Sequence, residues 1–121
     1  MKLKGLKILL VDDEPDLCHL LSWEFEDVGM IVTKSNSATD AIKNLKKNQF
    51  DIVLSDVKMP DGDGIELLEF IYKEKITLKA IYLMTGYSDY PVKNLIDIGL
   101  TKLFKKPLEV EEFLSDVEAL D

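Results

Sequence analysis

The chain has 121 residues, 46% of them hydrophobic, a length and composition typical of one globular domain spanning residues 1–121. A formal net charge of −8 would repel phosphate backbones and anionic lipid, which argues against direct binding of nucleic acid or a membrane surface by this domain. No apolar run reaches the roughly 20 residues of a membrane span. No signal peptide is recognisable, and the single Cys18 excludes an internal disulfide, so we expect a cytoplasmic protein.

Short apolar runs bounded by turn residues recur along the chain. Such runs are typical of strands buried in a parallel sheet. They predict five strands: Lys7–Val11, Met30–Thr33, Ile52–Asp56, Ala80–Met84 and Lys102–Lys105. The last of the five is the most weakly marked.

Apolar residues at helical spacing follow each predicted strand. The first helix begins near Pro15 and stops at Gly29, and the second is capped by Asn36 or Ser37 and ends near Asn48. The remaining three are Ile65–Tyr72, Val92–Ile98 followed by Gly99, and an amphipathic helix over Val110–Leu120.

Strands and helices that alternate in this way predict an α/β fold. Parallel pairing with right-handed crossovers places helices on both faces of one doubly wound sheet. The carboxyl ends of the strands then share one edge, where ligands bind in such folds.

Five side chains are expected at that edge: Asp12, Asp13, Asp56, Thr85 and Lys106. Each alone has an ordinary structural explanation. Asp56 and Thr85 could begin turns, Asp12 and Asp13 could be charges at a helix N-terminus, and Lys106 could be a surface lysine. Their arrival at one edge favours a functional site.

Three clustered carboxylates require a cation. Two of them about 4 Å apart, at an effective dielectric of about 20, repel by about 4 kcal/mol. Oxygen ligands at a partly hydrated site favour Mg²⁺ or Mn²⁺ over zinc. Lys106 adds a positive charge, Thr85 offers a hydroxyl donor, and Gly86 leaves backbone space beside it. The set predicts a pocket for a phosphoryl group on Asp56.

Four motifs carry a resemblance to a known family. They are VDDEP at 11–15, Asp56-x-x-Met59-Pro60-x-x-x-Gly64, Thr85-Gly86 and Lys106-Pro107. In this order, over essentially the whole chain, they resemble the receiver domain of bacterial two-component response regulators. The resemblance implies a flavodoxin-like fold of strand order 2-1-3-4-5 and a phosphorylation-controlled switch in a phosphorelay. It implies a histidine kinase or phosphotransfer protein as donor, and a downstream protein or fused output domain as target.

The resemblance also implies a role for each site residue. Asp56 would be the phosphoacceptor. Thr85 would hydrogen-bond one phosphoryl oxygen and move on activation, Lys106 would pair with another, and Gly86 would lie beside the group.

The same resemblance implies a Mg²⁺ site, with Mn²⁺ as a substitute. Asp13 would bind the ion directly and Asp12 would hold a metal-bound water. Asp56 and the carbonyl of Lys58 would complete the protein ligands.

The sequence departs from the family pattern around its fifth strand. Leu103 stands where an aromatic residue is common, and we expect it to point inward while Phe104 points to the opposite face. The stretch from Thr85 to Gly99 is about one residue short, so the fourth helix is expected to be short or irregular. Signal-dependent change would then lie in Gly86–Ile98, with a partner surface near the fourth helix and fifth strand.

The sequence also bears on four further residues and on two alternative functions. We expect Trp23 to be a packing residue, His19 to be solvated without a partner, and Lys58 and Tyr87 to flank the pocket mouth. A phosphatase that turns over through an aspartyl phosphate would need a second aspartate two residues after the nucleophile, where Lys58 stands. A phosphate-independent module would be expected to have lost Asp56 or Lys106.

Overall fold

The computed structural model describes residues 1–59, 63–86 and 91–120, in which strands and helices alternate. The strands are β1 (Lys7–Val11), β2 (Ile31–Ser35), β3 (Ile52–Asp56), β4 (Ala80–Thr85) and β5 (Lys102–Lys105). The helices are α1 (Pro15–Asp27), α2 (Ala38–Lys47), α3 (Gly64–Lys73), α4 (Lys93–Asp97) and α5 (Val110–Glu118).

The five strands form one parallel sheet in the order β2-β1-β3-β4-β5. This confirms the predicted doubly wound fold and its strand order. Every residue of β3 is buried, because β3 lies between β1 and β4. The pairing aligns the strand ends: Ser55 is opposite Val11 on one side and Leu83 on the other.

Apolar side chains cover both faces of the sheet in two clusters. Alternate residues of β3 point to opposite faces, so Val53 joins one cluster while Ile52 and Leu54 join the other. The first cluster contains buried residues of α2, α3 and α4, and the second contains those of α1 and α5. The second holds four aromatic rings, among them Tyr82 and Phe113, with ring centroids 5.2 Å apart.

The helix ends follow the predicted local chemistry. The Ser37 hydroxyl accepts a hydrogen bond of 3.0 Å from the Asp40 amide at the start of α2. Gly29 and Gly99 follow α1 and α4 with φ of +91° and +105°, a region that glycine enters without strain. Helix α4 has only five residues and no side-chain cap, as its shortened segment predicts.

Two predictions about α1 are wrong. Trp23 is 67% exposed, because the buried positions of α1 include Leu21 and Phe25 and Trp23 falls on the opposite side of the helix. His19 is exposed as expected but has a partner, since its Nδ1 lies 3.0 Å from the Nζ of Lys34 on β2.

Within the described residues, none of the helices is long and apolar enough to cross a bilayer.

Tyr82 contains a polar atom that the core does not satisfy. Its side chain is 1% exposed, and its hydroxyl has no hydrogen-bond partner among the described residues. Burial raises the pKa of this phenol above its ordinary value. A buried hydroxyl without a partner costs free energy on folding.

We therefore expect Tyr82→Phe to increase the free energy of unfolding by about 1 kcal/mol. Urea denaturation followed by circular dichroism measures the difference. Phe113→Leu is the matched control in the same cluster and should be destabilising by about 1 kcal/mol or more. A loss of stability in Tyr82→Phe would show that the hydroxyl does have a partner.

Candidate functional site

The carboxyl edge of the sheet carries a cavity of about 420 Å³. The residues lining it are Asp13, Glu14, Asp56, Lys58, Thr85, Gly86 and Lys106. Six of these seven are predicted site residues, and the seventh is Glu14. Asp12, the remaining predicted residue, is 1% exposed and reaches the same cluster from β1.

Asp56 is held at the floor of the cavity by the central strand. It ends β3, is 6% exposed, and accepts a hydrogen bond of 2.7 Å on Oδ2 from the Nζ of Lys106. Lys106 directly follows β5, and its backbone amide donates to the carbonyl of Thr85 at 2.8 Å. Extension of the β4–β5 pairing by this bond positions the lysine beside Asp56.

Four acidic side chains meet at this edge, and three of them lie within 3.9 Å of the Lys106 ammonium. Carboxylate oxygens of Asp12, Asp13, Glu14 and Asp56 lie within 4.8 Å of one another. Besides its bond to Asp56, Lys106 Nζ is 3.5 Å from Glu14 Oε1 and 3.9 Å from Asp12 Oδ2. Sequence reasoning missed Glu14, although it is the third acid of the VDDEP motif.

Asp12 has one satisfied oxygen and one unsatisfied oxygen. Its Oδ1 accepts a 2.9 Å hydrogen bond from the Glu14 amide, whereas its buried Oδ2 has no hydrogen-bond partner among the described residues. Burial raises the pKa of the Asp12 carboxyl, although the Glu14 amide and the charge of Lys106 oppose this shift. For Lys106, burial lowers the pKa, but the hydrogen bond and charge of Asp56 outweigh burial and leave it raised.

This donor set fits a hard divalent cation. Such ions prefer oxygen ligands, and the orphaned Asp12 Oδ2 lies within a group of four carboxylates. The side chain of Lys58, whose carbonyl is the other predicted ligand, is exposed at the rim of the cavity. The acids that could hold the ion are Asp12, Asp13 and Asp56, with Glu14 beside them.

The remaining predicted residues lie around the same opening. Thr85 is buried at the end of β4, and Gly86 is exposed directly after it. Gly64, from the Asp56 motif, begins α3 so close to Asp56 that a Cβ there would collide with the Asp56 carbonyl oxygen. Pro60, of the same motif, and Tyr87 lie outside the described residues.

The fifth strand shows the predicted alternation. Leu103 is half-buried and packs against the apolar cluster that includes Leu83 and Leu95. Phe104 is buried on the other face of the sheet, in the cluster that holds Tyr82. The inward position of Leu103 and the opposite direction of Phe104 are thus confirmed.

The chain matches a known protein family that fits this fold and this site. A family model for the response regulator receiver domain matches residues 8–118, and the chain belongs to this family. The DNA-binding transcriptional regulator NtrC of Proteus hauseri is 33% identical over 112 residues, which are 92% of this chain. The two-component response regulator ORR22 of Oryza sativa subsp. indica is 36% identical over 110 residues, or 89% of the chain.

A solved structure shows the same likeness. The crystal structure of response regulator protein TrrA from Thermotoga maritima, in complex with Mg²⁺–BeF, matches with a TM-score of 0.83 and 28% identity. The match covers 93% of this chain and 96% of that one. By contrast, the present chain spans only 24% of NtrC and 16% of ORR22. A receiver domain is a phosphoacceptor domain of two-component signalling, and this chain is a member of that class.

The raised pKa of Asp12 sets a pH dependence of stability. A carboxyl whose folded pKa exceeds its unfolded value contributes stability below the unfolded value, ordinarily 3.8, and loses it as the pH rises through the folded value. In chelator at about pH 7, Asp12→Asn should therefore unfold at a higher urea concentration than the wild type. The gap should narrow toward about pH 4, where less of the wild-type carboxyl is charged. A less stable Asp12→Asn protein at neutral pH would contradict this account.

Proposed function

We propose that Asp56 accepts a phosphoryl group from a histidine kinase or phosphotransfer protein, and that this reaction switches the domain between two signalling states. The observation that carries the proposal is the 2.7 Å contact of Lys106 Nζ with Asp56 Oδ2, inside a group of four carboxylates. A structural ion pair needs one acid for one lysine. The surplus of acids at a solvent-open cavity suits a bound divalent cation, which can in turn neutralise the negative charge of an incoming phosphoryl group.

The proposed transfer uses groups that already line the cavity. Asp56 Oδ1 attacks the phosphorus atom, a P–O bond forms, and the bond from phosphorus to the donor's imidazole nitrogen breaks. Charge on the transferring oxygens is then met by the Lys106 ammonium, which already lies at Asp56, and by the Thr85 hydroxyl. Gly86, exposed beside Thr85, leaves the entrance without a side chain.

We further propose that the reaction depends on Mg²⁺, for which Mn²⁺ can substitute. Asp13, Asp56 and the Lys58 carbonyl would bind the ion, and Asp12 would hold one of its waters. A bound divalent ion neutralises charge on the phosphoryl oxygens during transfer. The unsatisfied Asp12 Oδ2 and the relative solved with Mg²⁺–BeF both support this assignment.

We also propose how the signal leaves the domain. We propose that residues 1–121 act as a single receiver domain and control a downstream protein or a fused output domain. The relatives NtrC and ORR22 are several times longer than this chain, which supports a fused output in the family. Because Leu103 is inward and α4 is short, the backbone from Gly86 to Ile98 is our candidate for the element that responds. Residues 87–90 of this stretch lie outside the described residues.

Asp56→Asn should abolish phosphorylation by acetyl phosphate and leave the circular dichroism spectrum unchanged. The amide is nearly isosteric with the carboxylate but is not a nucleophile. Intact-mass spectrometry after treatment with the donor and Mg²⁺ measures the adduct. Asp97→Asn, an exposed aspartate on α4, is the control and should still be labelled. An adduct of wild-type abundance on Asp56→Asn would refute the assignment.

Mg²⁺ should raise the free energy of unfolding by about 1.4 kcal/mol at ten times its dissociation constant. Asp13→Ala should lose most of this gain. Because one of the repelling carboxylates is gone, the stability of this variant should also fall less when a chelator is added. Thermal melts with and without Mg²⁺ at matched ionic strength measure both effects. Asp16→Ala, an exposed acid in the first turn of α1, should keep the full gain. An undiminished gain in Asp13→Ala would place the metal elsewhere.

A further inference from the structure

The end of the sheet opposite Asp56 carries two connected hollows. One, of about 610 Å³, lies between the loop joining α2 to β3 and the loop joining α3 to β4. The other, of about 380 Å³, lies between α3 and the end of α4. They share Ile76, Leu78 and Lys79, so we treat them as one surface, the basal groove.

The basal groove has an apolar floor. Leu45 and Phe50 are buried beneath the larger hollow, and Ile76 and Leu78 are half-buried where the hollows meet. Exposed Thr77 lies at its rim. A floor of this kind can receive an apolar side chain without any change in the core.

Lysines outnumber acids around this floor, and three of them line it: Lys7, Lys75 and Lys79. Six exposed lysines lie on the segments that form the groove: Lys7, Lys46, Lys47, Lys73, Lys75 and Lys79. The same segments carry three acids, Asp51, Glu74 and Asp97, and Asp51 Oδ2 already accepts a 2.8 Å hydrogen bond from the Lys7 amide. In a chain of net charge −8, this is a local excess of positive charge.

Helix stability accounts for the positions of three of these six lysines. Lys46, Lys47 and Lys73 are in the last turns of α2 and α3, where a cation offsets the helix dipole. The remaining three are at a strand end or in a loop.

Lys75 in particular is held against its backbone preference. Its φ of 54° lies in the left-handed region, where glycine would be free of strain. Strained positions of this kind concentrate at functional sites, so the Lys75 charge is a candidate for a role beyond folding.

We propose that the basal groove binds an acidic segment of a partner protein. An apolar side chain of that segment would lie on Ile76 and Leu78, and its carboxylates would pair with the surrounding lysines. A bilayer is a poorer fit, because the apolar floor is recessed and cannot insert into lipid. Nucleic acid is also a poorer fit, because the sequence contains no arginine for bidentate contacts to phosphate or bases.

The probe is a capped peptide in which pairs of glutamates alternate with one leucine and one phenylalanine. Isothermal titration calorimetry with the full chain at low ionic strength should show binding that weakens as salt is added. A second peptide, with glutamine in place of every glutamate, should not bind. Equal binding of both peptides would overturn the proposal.

Three variants locate the site. Lys75→Gly should melt no lower than the wild type yet bind about fivefold more weakly, the upper range for one exposed ion pair. Lys79→Glu should weaken binding by at least as much. Thr77→Trp should block the groove without removing any charge.

Two controls separate the groove from the phosphoacceptor site. Lys93→Glu, at the start of α4, should bind the peptide like the wild type, and so should Asp56→Asn. If Lys75→Gly and Thr77→Trp keep wild-type affinity, or if anionic lipid vesicles bind and the acidic peptide does not, the proposal is wrong.

Discussion

The contact between Lys106 and Asp56 joins the central strand to the turn after the edge strand, and the proposed chemistry of the site depends on it. The positive charge of Lys106 offsets part of the repulsion among four carboxylates that lie within 4.8 Å of one another at this edge of the sheet. Strand β4 lies between β3 and β5 and pairs in parallel with both. Because the three strands are in register, Lys106, directly after β5, can reach Asp56 at the end of β3. The sheet therefore fixes the distance between the Asp56 carboxylate and its counter-ion, and the loops complete the cavity around them.

Much of this arrangement follows from local sequence. Strand ends are marked where an apolar run meets a charge, which is why Asp12, Asp56 and Lys106 could be placed at one edge from the sequence. The direction of a helical side chain is harder to predict, because it depends on which neighbouring elements cover the helix. Trp23 is the clearest example: its hydrophobicity favours burial, but the turn of α1 places it away from the sheet. The partner of His19 escaped prediction because Lys34 lies on a separate element, fifteen residues away in the chain. Glu14 could have been found, since it continues an acidic run that reaches the pocket.

The distribution of charge gives the molecule two unlike ends. Four acids cluster where the central strands end, and lysines outnumber acids around the basal groove, so the overall charge of −8 describes neither surface. Charges are screened over about 8 Å at physiological ionic strength, so each end acts mainly on its own surroundings. The proposed phosphodonor at the acidic cluster and the proposed acidic segment at the basal groove would not compete for the same surface. The two proposals together give one small sheet two binding surfaces of opposite charge.

The exposure of Trp23 also affects how the molecule can be observed. It is the only tryptophan in the chain, and with 67% of its surface in solvent the indole is largely hydrated in the folded state. Its emission will change little when the protein unfolds, so tryptophan fluorescence is a poor reporter of stability here. The same property makes it a sensitive reporter of docking on α1, since a protein that covers this helix would dehydrate the ring and shift its emission to shorter wavelength. The single tryptophan thus lies on the outer side of the helix that begins beside the acidic cavity.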